Sequence, residues 1–321
     1  MCNNFNYRKL GLMAIFLFFL LNKGAAQTDL DGIMMGKKQL CTGPVYNYSG
    51  WKNYWEGTLK RNNLNLGTVS TQTVSLMGSY GVTSKLNLLF NVPYVQTKAS
   101  AGTFHGLKGL QDLSLFLKWK AFERKTDIGT FSLIGVGGVS FPLTNYVADY
   151  LPLAIGLRSK TATARLVLDY DTGDFFATAS GTYVFRDNIK IDRTSYYTTE
   201  LHLSNEVNMP NGGNFNFRTG IRSERLTAEA VFNSWKTFGG FDITKNNAPF
   251  PSNKMNATTV GLNFKYIAFP KIDHLSLLAG GGTTIAGRNV GQSTSFYGGF
   301  FYILDFNHTT KKNTDHSVKT N

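Results

Sequence analysis

The chain has 321 residues, a formal net charge of +13, 33 glycines, 14% aromatic residues and two cysteines. So positive a balance suggests nucleic acid first, but the basic residues are dispersed and a secretory leader opens the chain, which excludes that partner. Cys2 leaves with the leader, and Cys41 alone cannot form an internal disulfide, so oxidative stapling is excluded as well.

Residues 1–26 read as that leader. Arg8 and Lys9 form a basic start, Leu10–Leu21 is apolar, and Gly24-Ala25-Ala26 offers small residues before Gln27. The apolar stretch is too short for a spanning helix, which needs roughly 20 residues, and no later stretch approaches that length.

Residues 27–67 show no sustained alternation and read as an irregular segment. Two readings are open: an extension lying against the base of the fold, or a plug reaching into it. Met34, Met35 and Cys41 are soft ligands of the kind that suit Cu(I). Adjacent residues rarely share one ligand sphere, however, and no metal or cofactor is expected.

From Thr68 to Phe306 apolar and polar residues alternate in run after run. Leu86, Leu88, Phe90, Val92 and Tyr94 share one parity, while Lys85, Asn87 and Asn91 share the other. Successive strand side chains point to opposite faces, so each run has a greasy face and a wet one. Runs of roughly 9–11 residues suit tilted strands in a bilayer better than the ~5–6 typical of globular sheets. Tyr80, Tyr94, Trp119, Phe141, Tyr170, Tyr266 and Phe306 stand near run ends, where interfacial aromatics belong. Only a closed sheet satisfies every backbone group inside lipid. The expectation is an all-β, antiparallel transmembrane β-barrel over residues 68–306 with about 12 strands, the count being 12 or 14. Short connections are expected at Gly81–Ser84, Asp171–Asp174 and Pro210–Gly213. Long ones are expected at Thr97–Gly109, Leu143–Lys160, Asp187–Ser195 and Gly239–Met255. One of the twelve runs is Leu201–Val207, and Trp55–Arg61 is a candidate for a missed strand. Residues 307–321 read as a polar basic tail.

The wet parity carries the candidate lumen residues: Lys118, Lys120, Arg165, Asp169, Glu200, His202, Glu206, Arg218, Arg222, Glu229 and Lys265. Rings of one sign would select solutes by charge. Both signs occur here, so the residues either pair across the lumen as structural filling or line water and bias permeation.

Catalytic patterns are missing: there is no G-x-S-x-G, Walker loop, C-x-x-C or H-E-x-x-H. Gly280-Gly281-Gly282 precedes no Lys-Ser/Thr, and reads as a place where a strand bends or leaves room. A lipid hydrolase would need a His–Ser pair at the lipid interface. His202 and Ser204 share a strand face, but it is the wet one, so no enzyme is expected.

Tyr80-Gly81-Val82-Thr83-Ser84-Lys85-Leu86-Asn87-Leu88, followed by Val92-Pro93-Tyr94-Val95, then Gly106–Lys118 and Phe141-Pro142-Leu143, form a pattern. It resembles the bacterial outer-membrane family described as MetA-pathway of phenol degradation proteins. In that family a strand pair ending in Pro-Tyr is followed by Gly-x-x-Asp-Leu-x-x-x-x-Lys, as Gly109, Asp112, Leu113 and Lys118 do here. The match covers about the first third of the chain after the leader, and the rest only by architecture. The resemblance implies a channel or transporter for a small apolar or aromatic molecule in the outer membrane of a Gram-negative bacterium, without catalytic residues. The expected partners are outer-membrane lipid, the solute and the barrel-assembly machinery. Two alternatives stand beside it: a non-transporting structural or surface-interaction barrel, and the lipid hydrolase.

Overall fold

A computed structural model describes residues 28–244, 248–267 and 274–307. The expected leader lies outside the described residues, as does all of the expected tail but Asn307. Twelve long strands run through the described residues: β1 Gln39–Trp51, β2 Val69–Thr83, β3 Leu86–Ala99, β4 Asp112–Thr126, β5 Gly129–Pro142, β6 Thr161–Thr172, β7 Phe175–Arg186, β8 Gly212–Arg222, β9 Leu226–Thr237, β10 Asn256–Ile267, β11 Leu275–Arg288 and β12 Thr294–Asp305. Each pairs antiparallel with its neighbours in sequence, and β1 pairs with β12, from Gln39 opposite Asp305 to Gly50 opposite Thr294. The sheet therefore closes on itself and has no free edge, the condition for strands to cross lipid.

The barrel is inside out relative to a globular core. Leu88, Leu117, Trp119, Leu166, Phe215 and Leu262 are exposed on the outer wall, whereas Lys118 is the largest fully buried side chain. Rings gather near both ends of that wall. Phe131 and Tyr170 pack 4.5 Å apart near one end, and Tyr183 packs on Phe185 and Phe238 near the other. This two-girdle pattern is expected of a barrel in a bilayer.

The count of twelve stands, but two strand assignments do not. Gln39–Trp51 lies in what the sequence presents as irregular 27–67, yet it is the strand that closes the barrel. Gly43 and Pro44 hide it. Pro44 has no N–H to give to a ladder, and the partners on β12 skip Gly43 and Pro44. Conversely, Leu201–Val207 is not a wall strand. It sits in the connection between β7 and β8, where Ile189–Lys190 pairs with Glu206–Val207 and Tyr196–Tyr197 with Leu201–His202. Seven residues cannot span the membrane where roughly 9–11 are needed. Pro210–Gly213 is accordingly the end of that long loop and the start of β8, not a short turn. The candidate Trp55–Arg61 is a small hairpin, Asn53–Glu56 with Leu59–Asn62, in the connection from β1 to β2.

Connections then alternate cleanly. Those after β2, β4, β6, β8 and β10 lie at one end, four of them only two or three residues long; those after β1, β3, β5, β7 and β9 lie at the other and are long. The long loops pack into a small core of their own, with Ala148, Ile189, Ile191, Val207 and Met209 buried together against Leu157, Tyr196 and Phe250.

Candidate functional site

The interior divides into two zones along the barrel axis. The zone toward the short turns is charged, and residues of the chain's own N-terminal segment lie in it. Thr28 to Gly36 runs inside the wall. Lys118, on the inward parity of β4, donates to Asp31 Oδ1 at 2.8 Å and to the carbonyls of Thr28 at 2.9 Å and Ile33 at 2.8 Å. Three acceptors use all three ammonium donors, which is what a fully buried lysine requires. Arg165 on β6 pairs with Asp29 and donates to Thr182 Oγ1 on β7 at 2.7 Å. Met34 packs against Ile134, Val136 and Val167, while Met35 packs with Cys41, Phe301 and Ile303. The two methionines thus enter different apolar clusters, and no soft-metal set forms from them. Gly32 lies against the Asp169 carboxylate so closely that a Cβ would overlap it. Residues 28–36 of the segment thus lie against inward-facing residues of the wall.

The remaining charges of this zone pair with one another. Arg218 donates to Glu229 Oε1 at 3.0 Å, and Asn263 donates to the same oxygen at 2.7 Å. Arg222 pairs with Asp171 at 2.9 Å, lies 3.7 Å from Asp169, and stacks 4.0 Å over the Phe176 ring. Asp169 also accepts from Thr178 Oγ1. Lys265 sits on the inward parity of β10. Lys120 pairs with Glu123 near the short-turn end.

Glu200, His202 and Glu206 do not join them. All three lie in the β7–β8 loop, outside the barrel wall. His202 stacks on Tyr196 and its Nε2 shares a 2.8 Å hydrogen bond with Thr198 Oγ1, while Ser204 Oγ accepts from the Glu206 N–H at 3.0 Å. Histidine and serine are thus engaged elsewhere, and His202 and Ser204 do not form a pair facing lipid. Sequence reasoning missed Asp29, Asp31 and Asp171. The only hint of the first two is a pair of acids just after the leader of a basic chain.

The second zone, toward the long loops, is lined mainly by amides and hydroxyls, with the Arg186 cation among them. Its inward parity carries Asn47, Thr73, Asn91, Ser140, Asn214, Asn233 and Ser295, and these remain partly accessible. Tyr297 packs against Gly280 of the neighbouring strand, where a Cβ would meet its ring and the Asn263 amide. Trp235 lies in the same way over Gly212, with Arg186 stacked 5.1 Å from it. At the rim, Asp112 accepts from Tyr146 at 2.6 Å, and Tyr146 accepts from the Arg158 N–H at 2.8 Å. Burial, followed by the Asp112 contact, pushes the Tyr146 phenol upward, so it stays protonated and donating. Among the described residues, no group of His, Cys, Asp and Glu could hold a metal ion.

Comparisons with known proteins agree on the architecture. No family model matches the chain, and no curated protein matches it, so the resemblance drawn from its motifs has no sequence-wide match behind it. Among solved structures the chain is similar to the COG4313 outer membrane channel from Pseudomonas putida F1, at 13% identity and a TM-score of 0.64, covering 87% of this chain and 100% of that one. Weaker likenesses include the NanC porin, at 9% identity and TM-score 0.45 over 81% of this chain and 100% of that one. Another is the TodX monoaromatic hydrocarbon channel, at 9% and 0.44 over 85% and 91%. The fold is that of a twelve-stranded outer-membrane barrel.

Proposed function

We propose that this protein is a small-molecule channel of the Gram-negative outer membrane, with its short turns on the periplasmic side and its long loops outside. The observation that carries the reading is the division of the lumen. Charges pair off around the Thr28–Gly36 plug, while the inward residues behind the loops are mostly amides and hydroxyls and stay partly accessible. Structural filling alone would need no such accessible polar lining. An apolar or aromatic solute, which the resemblance implies, has the Tyr297 ring in its favour and the surrounding amides and hydroxyls against it. Outer-membrane lipid would cover the apolar wall, and insertion of a closed barrel would fall to the assembly machinery.

The test is single-channel conductance of refolded full-length protein in planar bilayers, together with a variant lacking residues 27–36. Small or rare openings in the full chain and larger ones in the variant are expected. Absence of conductance and of solute flux from both would remove the channel reading. It would favour the second reading, a surface-interaction barrel, for which the plug and the packed outer loops speak.

A further inference from the structure

Resting on the channel reading, we infer that Arg186, at the long-loop mouth of the lumen, binds the carboxylate of a small organic monoanion. Arg186 is the last residue of β7 and shares the inward parity of Thr178, Ser180 and Thr182. Four deeper cations on the inward face are each neutralised: Lys118 by Asp31, Arg165 by Asp29, Arg218 by Glu229 and Arg222 by Asp171. Arg186 has no carboxylate partner among the described residues. The adjacent Asp187 is exposed and on the other parity, and its Oδ1 accepts from the Asn188 N–H at 3.0 Å.

The cation is nevertheless held in place. Its backbone N–H donates to Asn211 Oδ1 at 2.9 Å, which fixes the end of β7. Its guanidinium carbon lies 5.1 Å from the centre of the Trp235 ring on β9, within the range of cation–π attraction. Between them runs β8, where Gly212 leaves the room: a Cβ there would come within 2.4 Å of the indole. Trp235 offers no acceptor atom. Of the five N–H donors of the guanidinium, one meets an acceptor among the described residues, the Pro210 carbonyl, at 3.5 Å, which is long for a hydrogen bond. A positioned, half-buried cation is thus left with open donors on the inward face.

The chemistry of those donors selects the ligand. A carboxylate presents two oxygens in the plane of the guanidinium fork and brings the missing charge. The inward parity of β7, β8 and β9 carries no second cation at this end. A monoanion is therefore balanced there, whereas a phosphate dianion would keep an unpaired charge. A neutral amide of the same shape forgoes the charge-assisted part of the bond, and an ammonium is repelled.

The experiment titrates refolded full-length protein in detergent at pH 8 with propionate, propionamide, propylammonium and inorganic phosphate by calorimetry, and measures entry of the same solutes into proteoliposomes. Saturable binding of propionate is expected, at least tenfold tighter than that of the other three. Arg186→Gln should weaken it tenfold or more, the scale of a lost charge-assisted contact. Arg186→Lys keeps the charge without the fork and should bind severalfold more weakly than the wild type, which supplies the test should the glutamine variant not fold. Equal or tighter binding of propionamide, propylammonium or phosphate, no binding of propionate, or wild-type affinity in either variant overturns the inference. Propionate binding without flux of any solute overturns the channel reading and leaves the site standing. Solute flux without propionate binding does the reverse.

Discussion

Lys118 in the middle of β4 reaches Asp31 of the N-terminal segment at 2.8 Å, with the lysine side chain fully buried and the aspartate 9% exposed. Breaking a buried pair from one side strands the other charge, at a cost of about 3–5 kcal/mol. Asp31→Asn leaves Lys118 its two carbonyl acceptors and is expected at the low end of that range. Lys118→Met leaves the Asp31 carboxylate buried without a counter-charge, held only by the Thr28 and Ile33 donors, and is expected at the high end. The double variant should recover much of the loss. Denaturant titrations read by the shift between folded and unfolded gel mobility measure all three. Both single variants should also show more frequent channel opening, because the contact holds the plug. Wild-type stability and wild-type conductance in Asp31→Asn would mean that the pair holds nothing closed.

A second pair can be tested without moving the plug. Arg218 and Glu229 face each other across β8 and β9, and Asn263 on β10 shares the carboxylate. Glu229→Gln keeps the shape and removes the charge. Charge-assisted hydrogen bonds contribute about 1.5–3 kcal/mol, so a loss in that range is expected, and a double-mutant cycle with Arg218→Gln should give a favourable coupling. A coupling near zero would show that the lumen is wet enough to screen the pair.

How much of this was legible in sequence depends on the range of the contact. The outer wall was legible because a period of two is local: Leu86, Leu88 and Phe90 declare their face without help from any other strand. Twelve strands were counted for two cancelling reasons. Leu201–Val207 alternates like a wall strand but is too short, and Gln39–Trp51 is a wall strand whose Gly43 and Pro44 interrupt the pattern. A plug was one of two readings of 27–67, but its contacts were not legible, because Asp31 meets Lys118 across 87 residues of sequence. Nothing near Asp29 or Asp31 says which cations they will find.

Outer loops offer a sharper stability test at Asn289, 4% exposed. Its Oδ1 accepts from the N–H groups of Gly57 at 2.7 Å and Ile243 at 3.0 Å, and its Nδ2 donates to Asp242 Oδ1 and the Lys254 carbonyl, both at 2.7 Å. One amide thus ties the first hairpin, the β9–β10 loop and the β11–β12 turn. Its φ of 54° is also one that asparagine tolerates better than most residues. Asn289→Ala should cost these loops about 1–3 kcal/mol through the groups left unpaired and speed proteolytic nicking between Phe238 and Met255 several-fold, with the barrel intact. Asn289→Gly relieves the backbone but not the bonds, so it should be nicked as fast as the alanine variant. Protection in Asn289→Gly would assign the effect to φ alone.

Acid should loosen the same loops through Asp242. The Arg288 guanidinium donates to both oxygens of this carboxylate, with Asn289 adding a third bond. The Arg288 hydrogen bonds, first among the causes, hold its pKa at about 2 against an ordinary 3.8. A carboxylate with a depressed folded value stabilises fully above its unpaired value and loses that contribution as pH falls through the folded one. Loop protection should therefore be complete above about pH 4 and fade between about 4 and 2. Pepsin digestion across that window, scored at the Phe238–Phe250 stretch, reads it directly. In Asp242→Asn the amide cannot titrate, so cleavage there should already be fast at pH 4 and follow only the enzyme's own pH profile below it. Parallel profiles for the two proteins would place the acid-sensitive group elsewhere in the loops.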